Sequence, residues 1–209
     1  HAYGDRGDTL LTTSPTFGYY TPCAQMQGMA IEAIPYRMPD FVFPLEEIRA
    51  ALQASGSDGQ SDGSAPRILL ICNPNNPTGT RLAPEPILEL ASAAPQTLVV
   101  VDELYEAFTG DSVLPVADFA ATPNLLVLRS LAKTAGLAGL RIGFAIGSAA
   151  VVDRISRVTG PYDINSFAVT AAHAALADQP YVEGYVAEVL RAREWLVEQL
   201  VQAGVRHHA

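Results

Sequence analysis

The chain is short of positive charge. Thirteen Lys and Arg stand against 22 Asp and Glu in 209 residues, a net charge of −9. Phosphate-rich surfaces need a basic footprint, so no nucleic-acid partner is expected. The same deficit argues against docking on an anionic membrane. Cysteine is scarce as well. Cys23 and Cys72 stand alone, without metal-ligand spacing and too few for a disulfide framework. No metal site is expected. Cys72 ends the apolar run RILLIC and reads as a small core residue. No apolar run is long enough to span a bilayer, and no secretory leader pattern opens the chain. A cytoplasmic protein is the expectation. There is no G-x-G-x-x-G and no P-loop, because the glycines near Lys133 follow it, whereas a P-loop lysine closes its motif.

What is present is a globular composition, 49% apolar and 17% charged, with length enough for one sizeable domain. Strand-like and helix-like runs alternate. Strands are expected at residues 9–13, 29–35, 67–72, 97–101, 125–128 and 142–146. Helices are expected from Thr16, as cap, to about Gly28, then at 45–52, 84–94, 148–158, 166–177 and 181–203. Several strands are apolar throughout, the pattern of a parallel sheet covered on both faces. The fold class is therefore α/β, a three-layer sandwich with a mostly parallel sheet. Residues 1–180 read as one large domain, and residues 181–209 as a long helix leading out of it. The Gly/Ser/Asp run at 54–66, ASGSDGQSDGSAP, has almost nothing to bury and reads as a mobile surface loop.

Such sheets bind ligands at the C-terminal ends of their strands. Four polar groups of residues are expected there. Asn76 follows RILLIC, Asp102 and Tyr105 follow TLVVV, Ser130 and Lys133 follow LLVL, and Arg141 opens the next strand. Taken singly, each has an ordinary use. NPNNPTG is rich in turn residues, Asp102 could be a helix cap, Tyr105 could pack one turn on, and Lys133 could be a solvated loop lysine. A lysine among Leu, Ala, Thr and Gly suggests burial, and burial favours the neutral amine that makes a Schiff base with an aldehyde. Together the six residues fit pyridoxal phosphate. Its aldehyde needs a lysine, its ring nitrogen an anion, its phenolate oxygen donors, and its phosphate cations and hydroxyls.

The chain resembles the large domain of the fold-type I pyridoxal-phosphate enzymes of the class I/II aminotransferase family, nearest the histidinol-phosphate aminotransferase branch. The residues that carry the resemblance are SPTFGYY (14–20), NPNNPTG (73–79), VVVDELYEAF (99–108) and SLAKTAGLAGLRIGF (130–144). By that resemblance Lys133 is the catalytic residue, binding the cofactor and then moving the substrate's Cα proton. Asp102 pairs with the pyridine nitrogen, Asn76 and Tyr105 bind the phenolate oxygen, and Ser130 and Arg141 bind the phosphate. Phe17 stacks on the ring, with plain core packing as its alternative. The partners implied are a small-molecule amino donor and a keto acceptor, with a homodimer for the full-length protein.

Two departures from the family pattern stand out. Ala132 occupies a position where relatives often carry a hydroxyl, which removes one phosphate contact. The family's glycine-rich phosphate loop and the small domain with its carboxylate-clamping arginine have no counterpart, so a chain truncated at both ends is expected. Transamination of an amino acid or amino-alcohol phosphate is the leading activity. The alternatives are decarboxylation of a phosphorylated amino acid, a non-catalytic binding or sensor module, and an inactive fragment.

Overall fold

A computed structural model describes residues 1–54 and 65–208. The expected loop at 54–66 lies almost wholly outside the described residues. Six strands form one sheet: β1 (Thr9–Ser14), β2 (Ala30–Pro35), β3 (Ile68–Cys72), β4 (Leu98–Asp102), β5 (Leu125–Ser130) and β6 (Gly143–Gly147). Their order is β2-β1-β3-β4-β5-β6, parallel throughout except for β6, which runs antiparallel to β5. The helices are α1 (Tyr20–Met26), α2 (Leu45–Ala54), α3 (Pro84–Ala93), α4 (Ala149–Ser156), α5 (Ser166–Ala177) and α6 (Gln179–Gln202).

The three-layer α/β architecture follows from which side chains each strand turns to each face. Leu69, Ile71, Val99, Val101, Leu125 and Val127 share one core with Ile48 and Leu52 of α2 and Ile87 and Leu90 of α3. Their odd-numbered spacing is the period-2 alternation of a pleated strand. The even-numbered Leu98, Val100 and Leu126 pack on the other face against Val151 of α4. Beside them, Leu10 and Met29 pack on Ala24 of α1. Helix starts are set by local chemistry. Pro84 stands at the start of α3, and Asn165 and Asp178 accept hydrogen bonds from the Ala168 and Tyr181 amides to cap α5 and α6. Among its described residues α6 buries none. Leu69 is fully buried between the sheet and α2–α3. Leu69→Ala is expected to lower the unfolding free energy by about 2–5 kcal/mol in urea titration, through lost transfer energy and the cavity left behind.

Two local expectations are corrected. Thr16 does not cap α1. Tyr19 stands at the cap position without a side-chain bond, and the Thr16 hydroxyl instead donates to Asn75 Oδ1 at 2.8 Å. A partner in the loop after the neighbouring strand outcompetes the local one. Arg141 does not open β6, which begins at Gly143. Arg141 ends the short 3-10 segment Ala138–Leu140 in the left-handed region, with φ 55° and ψ 43°. Such a conformation costs a non-glycine residue about 1–2 kcal/mol. Gly143 then lies so close to β5 that an added Cβ would meet the Arg129 carbonyl oxygen at 3.0 Å, so a side chain here would press the two strands apart by a few tenths of an ångström.

Tyr36, at the end of β2, is 4% exposed, and burial pushes its hydroxyl up to about 12 against the help of a hydrogen bond from Thr13. In the unfolded chain a tyrosine titrates near 10. The buried phenol therefore contributes stability that is complete below about pH 10 and is lost as pH rises toward 12. At about 1.4 kcal/mol per unit, this is on the order of 2–3 kcal/mol. Tyr36→Phe is expected to flatten the alkaline fall in stability by about one proton, read from urea unfolding across alkaline pH.

Candidate active site

Parallel register brings the strand ends level. Cys72 lies beside Asp102, and Asp102 beside Leu128. The order of strands reverses at β1, which lies between β2 and β3, and loops leaving a sheet on either side of such a point open a crevice. Pairing of β1 with β3 covers only Leu10–Leu11 against Ile68–Leu69. Beyond it the Thr12 hydroxyl donates to the Leu70 carbonyl instead of the ladder continuing. The polar residues after β1, β3, β4 and β5 all gather at this rim.

Alternation along β4 places Asp102 on the same face as Leu98 and Val100, the face covered by α1 and α4. Ser130 falls on that face of β5, with Leu126 and Leu128. Asp102 and Ser130 both line a hollow of about 380 Å³ together with Leu104, Leu128, Gly143 and Phe144. The Asp102 carboxylate is fixed by two donors. Oδ2 accepts from the Tyr20 hydroxyl at 2.7 Å and Oδ1 from the Leu104 amide at 3.1 Å. Tyr105, in the turn that follows β4, presents its ring to the Lys133 ammonium, with Nζ 5.8 Å from the ring centroid.

The three asparagines of NPNNPTG divide by task. Asn73 is buried and closes a ring with Leu82, donating to its carbonyl and accepting from its amide, each at 2.9 Å. Asn75 is buried and ties Pro15, Thr16 and Thr78 together. Asn76 is half-buried, and its side chain has no hydrogen-bond partner among the described residues. The turn reading thus holds for Asn73 and Asn75, while Asn76 is left with its amide free at the rim.

Lys133 is exposed, which corrects the expectation of a buried lysine. The turn that carries it is short and rich in small residues, so nothing on the described chain covers the side chain. Lys133 is nevertheless the only lysine of the sequence. Arg141 is exposed too, with Nη1 donating to its own loop at Ala138 O, 3.0 Å away. Neither cation has a carboxylate partner among the described residues. Ser130 donates to the Ile142 carbonyl at 3.2 Å and accepts from the Ala132 amide at 3.1 Å. It thereby pins the end of β5 to the segment that leads on from Arg141. Phe17 is 40% exposed and meets Tyr20 edge-on, with centroids 5.4 Å apart. Its exposure sets core packing aside.

Three residues at or beneath the rim were not legible as site residues. Tyr20 is one. Burial is the first cause that holds its hydroxyl far above the usual tyrosine range, and the Asp102 carboxylate adds to it. Glu103 and Arg129 are the others. The Glu103 side chain is fully buried and accepts from Arg129 Nε, Ser112 Oγ and the Val113 amide at 2.8, 2.9 and 2.7 Å. Arg129 also reaches Glu106. The available signal was a second acid directly after Asp102 and a single base near the end of the otherwise apolar LLVLRS strand. A larger hollow, of about 730 Å³, is lined by Arg37, Phe41, Thr80 and Arg81. Its two arginines are already paired, Arg37 with Glu47 and Arg81 with Asp111.

The donor set at the rim fits pyridoxal phosphate by its chemistry. A carboxylate is held by two hydrogen bonds, an amine and a guanidinium lack carboxylate partners among the described residues, an amide is unengaged among them, and the Phe17 ring is exposed.

Known proteins resemble the chain along nearly its whole length. A histidinol-phosphate aminotransferase 1 of Carboxydothermus hydrogenoformans is 34% identical over 205 residues, 98% of this chain and 55% of that protein. A histidinol-phosphate aminotransferase of Streptomyces avermitilis is 35% identical over 206 residues, 97% of this chain and 53% of that protein. The chain spans about half the length of the curated relatives it matches. Among solved structures, the histidinol-phosphate aminotransferase of Sinorhizobium meliloti in complex with pyridoxal-5'-phosphate superposes with a TM-score of 0.83 at 25% identity, over 96% of this chain and 52% of that one. The L-threonine-O-3-phosphate decarboxylase of Porphyromonas gingivalis gives 0.69 at 27% identity, over 87% of this chain and 53% of that one. Residues 2–209 match the family described as aminotransferase class I and II, and the chain belongs to that family.

Proposed function

We infer that this chain is the cofactor-binding part of a pyridoxal-phosphate-dependent aminotransferase acting on an amino acid or amino-alcohol phosphate, with histidinol phosphate as the first candidate donor. The observation that carries the reading is the approach of Tyr105 and Lys133 from two neighbouring strand ends, one of which ends on Asp102. Asp102 and Tyr105 leave β4, and the Tyr105 ring lies 5.8 Å from Nζ of Lys133 beyond β5. Pyridoxal 5'-phosphate, when bound, supplies a protonated pyridine ring that accepts electron density from the substrate's Cα. Lys133 would hold its aldehyde carbon. Asp102 would keep the ring nitrogen protonated by opposite charge. Asn76 and Tyr105 would donate to the phenolate oxygen, and Ser130 and Arg141 to the phosphate, with Phe17 over the ring.

With the cofactor bound, Lys133 Nζ would take the proton from the substrate's Cα, pass it on within the same half-reaction so that the amine is neutral again, and move one back in the opposite direction in the second. The exposure of Lys133 suits this task, since the amine must swing between two positions. The amino donor and keto acceptor are small molecules, and the full-length protein is inferred to work as a cytoplasmic homodimer. Residues 1–180 would be its large domain, with 181–209 leading onward. The likeness to the Porphyromonas decarboxylase favours one second reading, loss of carboxylate from a phosphorylated amino acid.

Incubation with pyridoxal phosphate is expected to give a visible absorbance band that shifts on addition of histidinol phosphate and leaves a carbonyl product. Release of carbon dioxide from a phosphorylated amino acid would point to the second reading. A band that no amine shifts would leave a binding module.

A further inference from the structure

Asp102 is held by a residue from a distant part of the chain. Tyr20 opens α1, 82 positions before Asp102, and its hydroxyl donates to Oδ2 at 2.7 Å. The geometry assigns Tyr20 as a positioning residue, which sets the Asp102 carboxylate toward the ring nitrogen of the cofactor while touching neither cofactor nor substrate. This rests on the cofactor reading above.

Three observations support the assignment. First, the direction of the proton is unambiguous. The buried Cys72 thiol is the other polar group against the Tyr20 hydroxyl, and its own hydrogen goes to the Pro74 carbonyl at 3.4 Å. The single Tyr20 proton is therefore available to Asp102. Second, burial keeps Tyr20 a neutral phenol, and so a donor, throughout the working pH range. Third, the carboxylate's other oxygen is bound by the Leu104 amide at 3.1 Å. The two donors come from different elements and together restrict rotation of the carboxylate about its χ2, a torsion that is otherwise broad. A donor bound to a charged acceptor contributes more than a neutral pair and has a defined direction. Phe17, packed edge-on against the Tyr20 ring, braces the donor.

The test compares two probes on the full chain. One is pyridoxal phosphate, and the other is its 1-deaza analogue, in which carbon replaces the ring nitrogen. The unaltered protein is expected to prefer the nitrogen-bearing ring. Tyr20→Phe keeps the ring packing and removes only the donor. It is expected to weaken pyridoxal phosphate binding by about tenfold, the size of one hydrogen bond to a charged group, and to leave the analogue within about twofold. Equal weakening of both probes would show a merely structural role and overturn the assignment, as would no change in either. Asp102→Asn separates the two layers of the argument. If Asp102→Asn abolishes the preference while Tyr20→Phe retains it, the Tyr20 assignment alone fails. If Asp102→Asn retains the preference, the cofactor reading of Asp102 fails, and the role of Tyr20 with it.

Discussion

Lys133→Ala is expected to reduce turnover by about four orders of magnitude or more, because one amine serves both as the anchor of the cofactor and as the acid-base group at Cα. Lys133→Arg should be equally inactive, since a guanidinium keeps the charge and loses the nucleophile. The fold should not notice either change. Lys133 is exposed and has no carboxylate partner among the described residues, so the unfolding midpoint in urea is expected to stay within about 0.5 kcal/mol of the parent. The sequence makes the chemistry easy to localise. Apart from the terminal amine, Lys133 Nζ is the sole primary amine in the chain. Borohydride treatment in the presence of pyridoxal phosphate should therefore label one internal peptide in the parent and none in Lys133→Ala. A label confined to the terminus, or activity surviving in the alanine variant, would remove Lys133 from the mechanism.

How far the site could be read from sequence depends on the range of the interactions. The strands were legible because runs such as TLVVV and RILLIC carry their burial in every residue, and the loops that follow inherited their place at the rim from the strand ends. The positions of Asn76, Asp102, Ser130 and Lys133 came from that inheritance. Their surroundings did not. Thr16 has the local signature of a cap and is claimed instead by Asn75, 59 residues away. Lys133 sits among small residues that suggest an interior, yet small residues in a short turn provide too little bulk to cover a long side chain. Tyr20 reads as one aromatic of a helix start, and nothing within α1 indicates its bond to Asp102. Alternation along a strand can say which face a residue takes, as it does for Ser130 and Arg129. It cannot say which partner on a neighbouring strand receives the side chain.

Arg129→Ala is expected to cost about 3 kcal/mol of stability, a fall of about 10 °C in Tm for a chain of this size. The reason is the partner left behind. The Glu103 side chain is fully buried, and Arg129, itself about a quarter exposed, is the only cation beside it among the described residues. Replacing both members of a buried pair with apolar residues is often harmless, and that expectation does not carry over here. Glu103 Oε1 also accepts from the Val113 amide at 2.7 Å, and Val113 is fully buried. Glu103→Leu with Arg129→Met would leave that amide, and the Ser112 hydroxyl, without their acceptor. The double variant is therefore expected to be no more stable than Arg129→Ala alone. The pair has a second consequence, at the site. Arg129 binds both Glu103 and Glu106, the residues on either side of the turn that carries Leu104 and Tyr105. Releasing that turn should loosen the Leu104 amide from Asp102 and the Tyr105 ring from Lys133 at once. Arg129→Ala is thus expected to weaken pyridoxal phosphate binding severalfold, although Arg129 belongs to the opposite face of the sheet from Asp102. Glu106→Gln keeps a hydrogen-bond acceptor for Arg129 and should cost less than about 1 kcal/mol. If Arg129→Ala left both stability and cofactor affinity unchanged, the strand ends would have to be held at the rim by the sheet ladder alone.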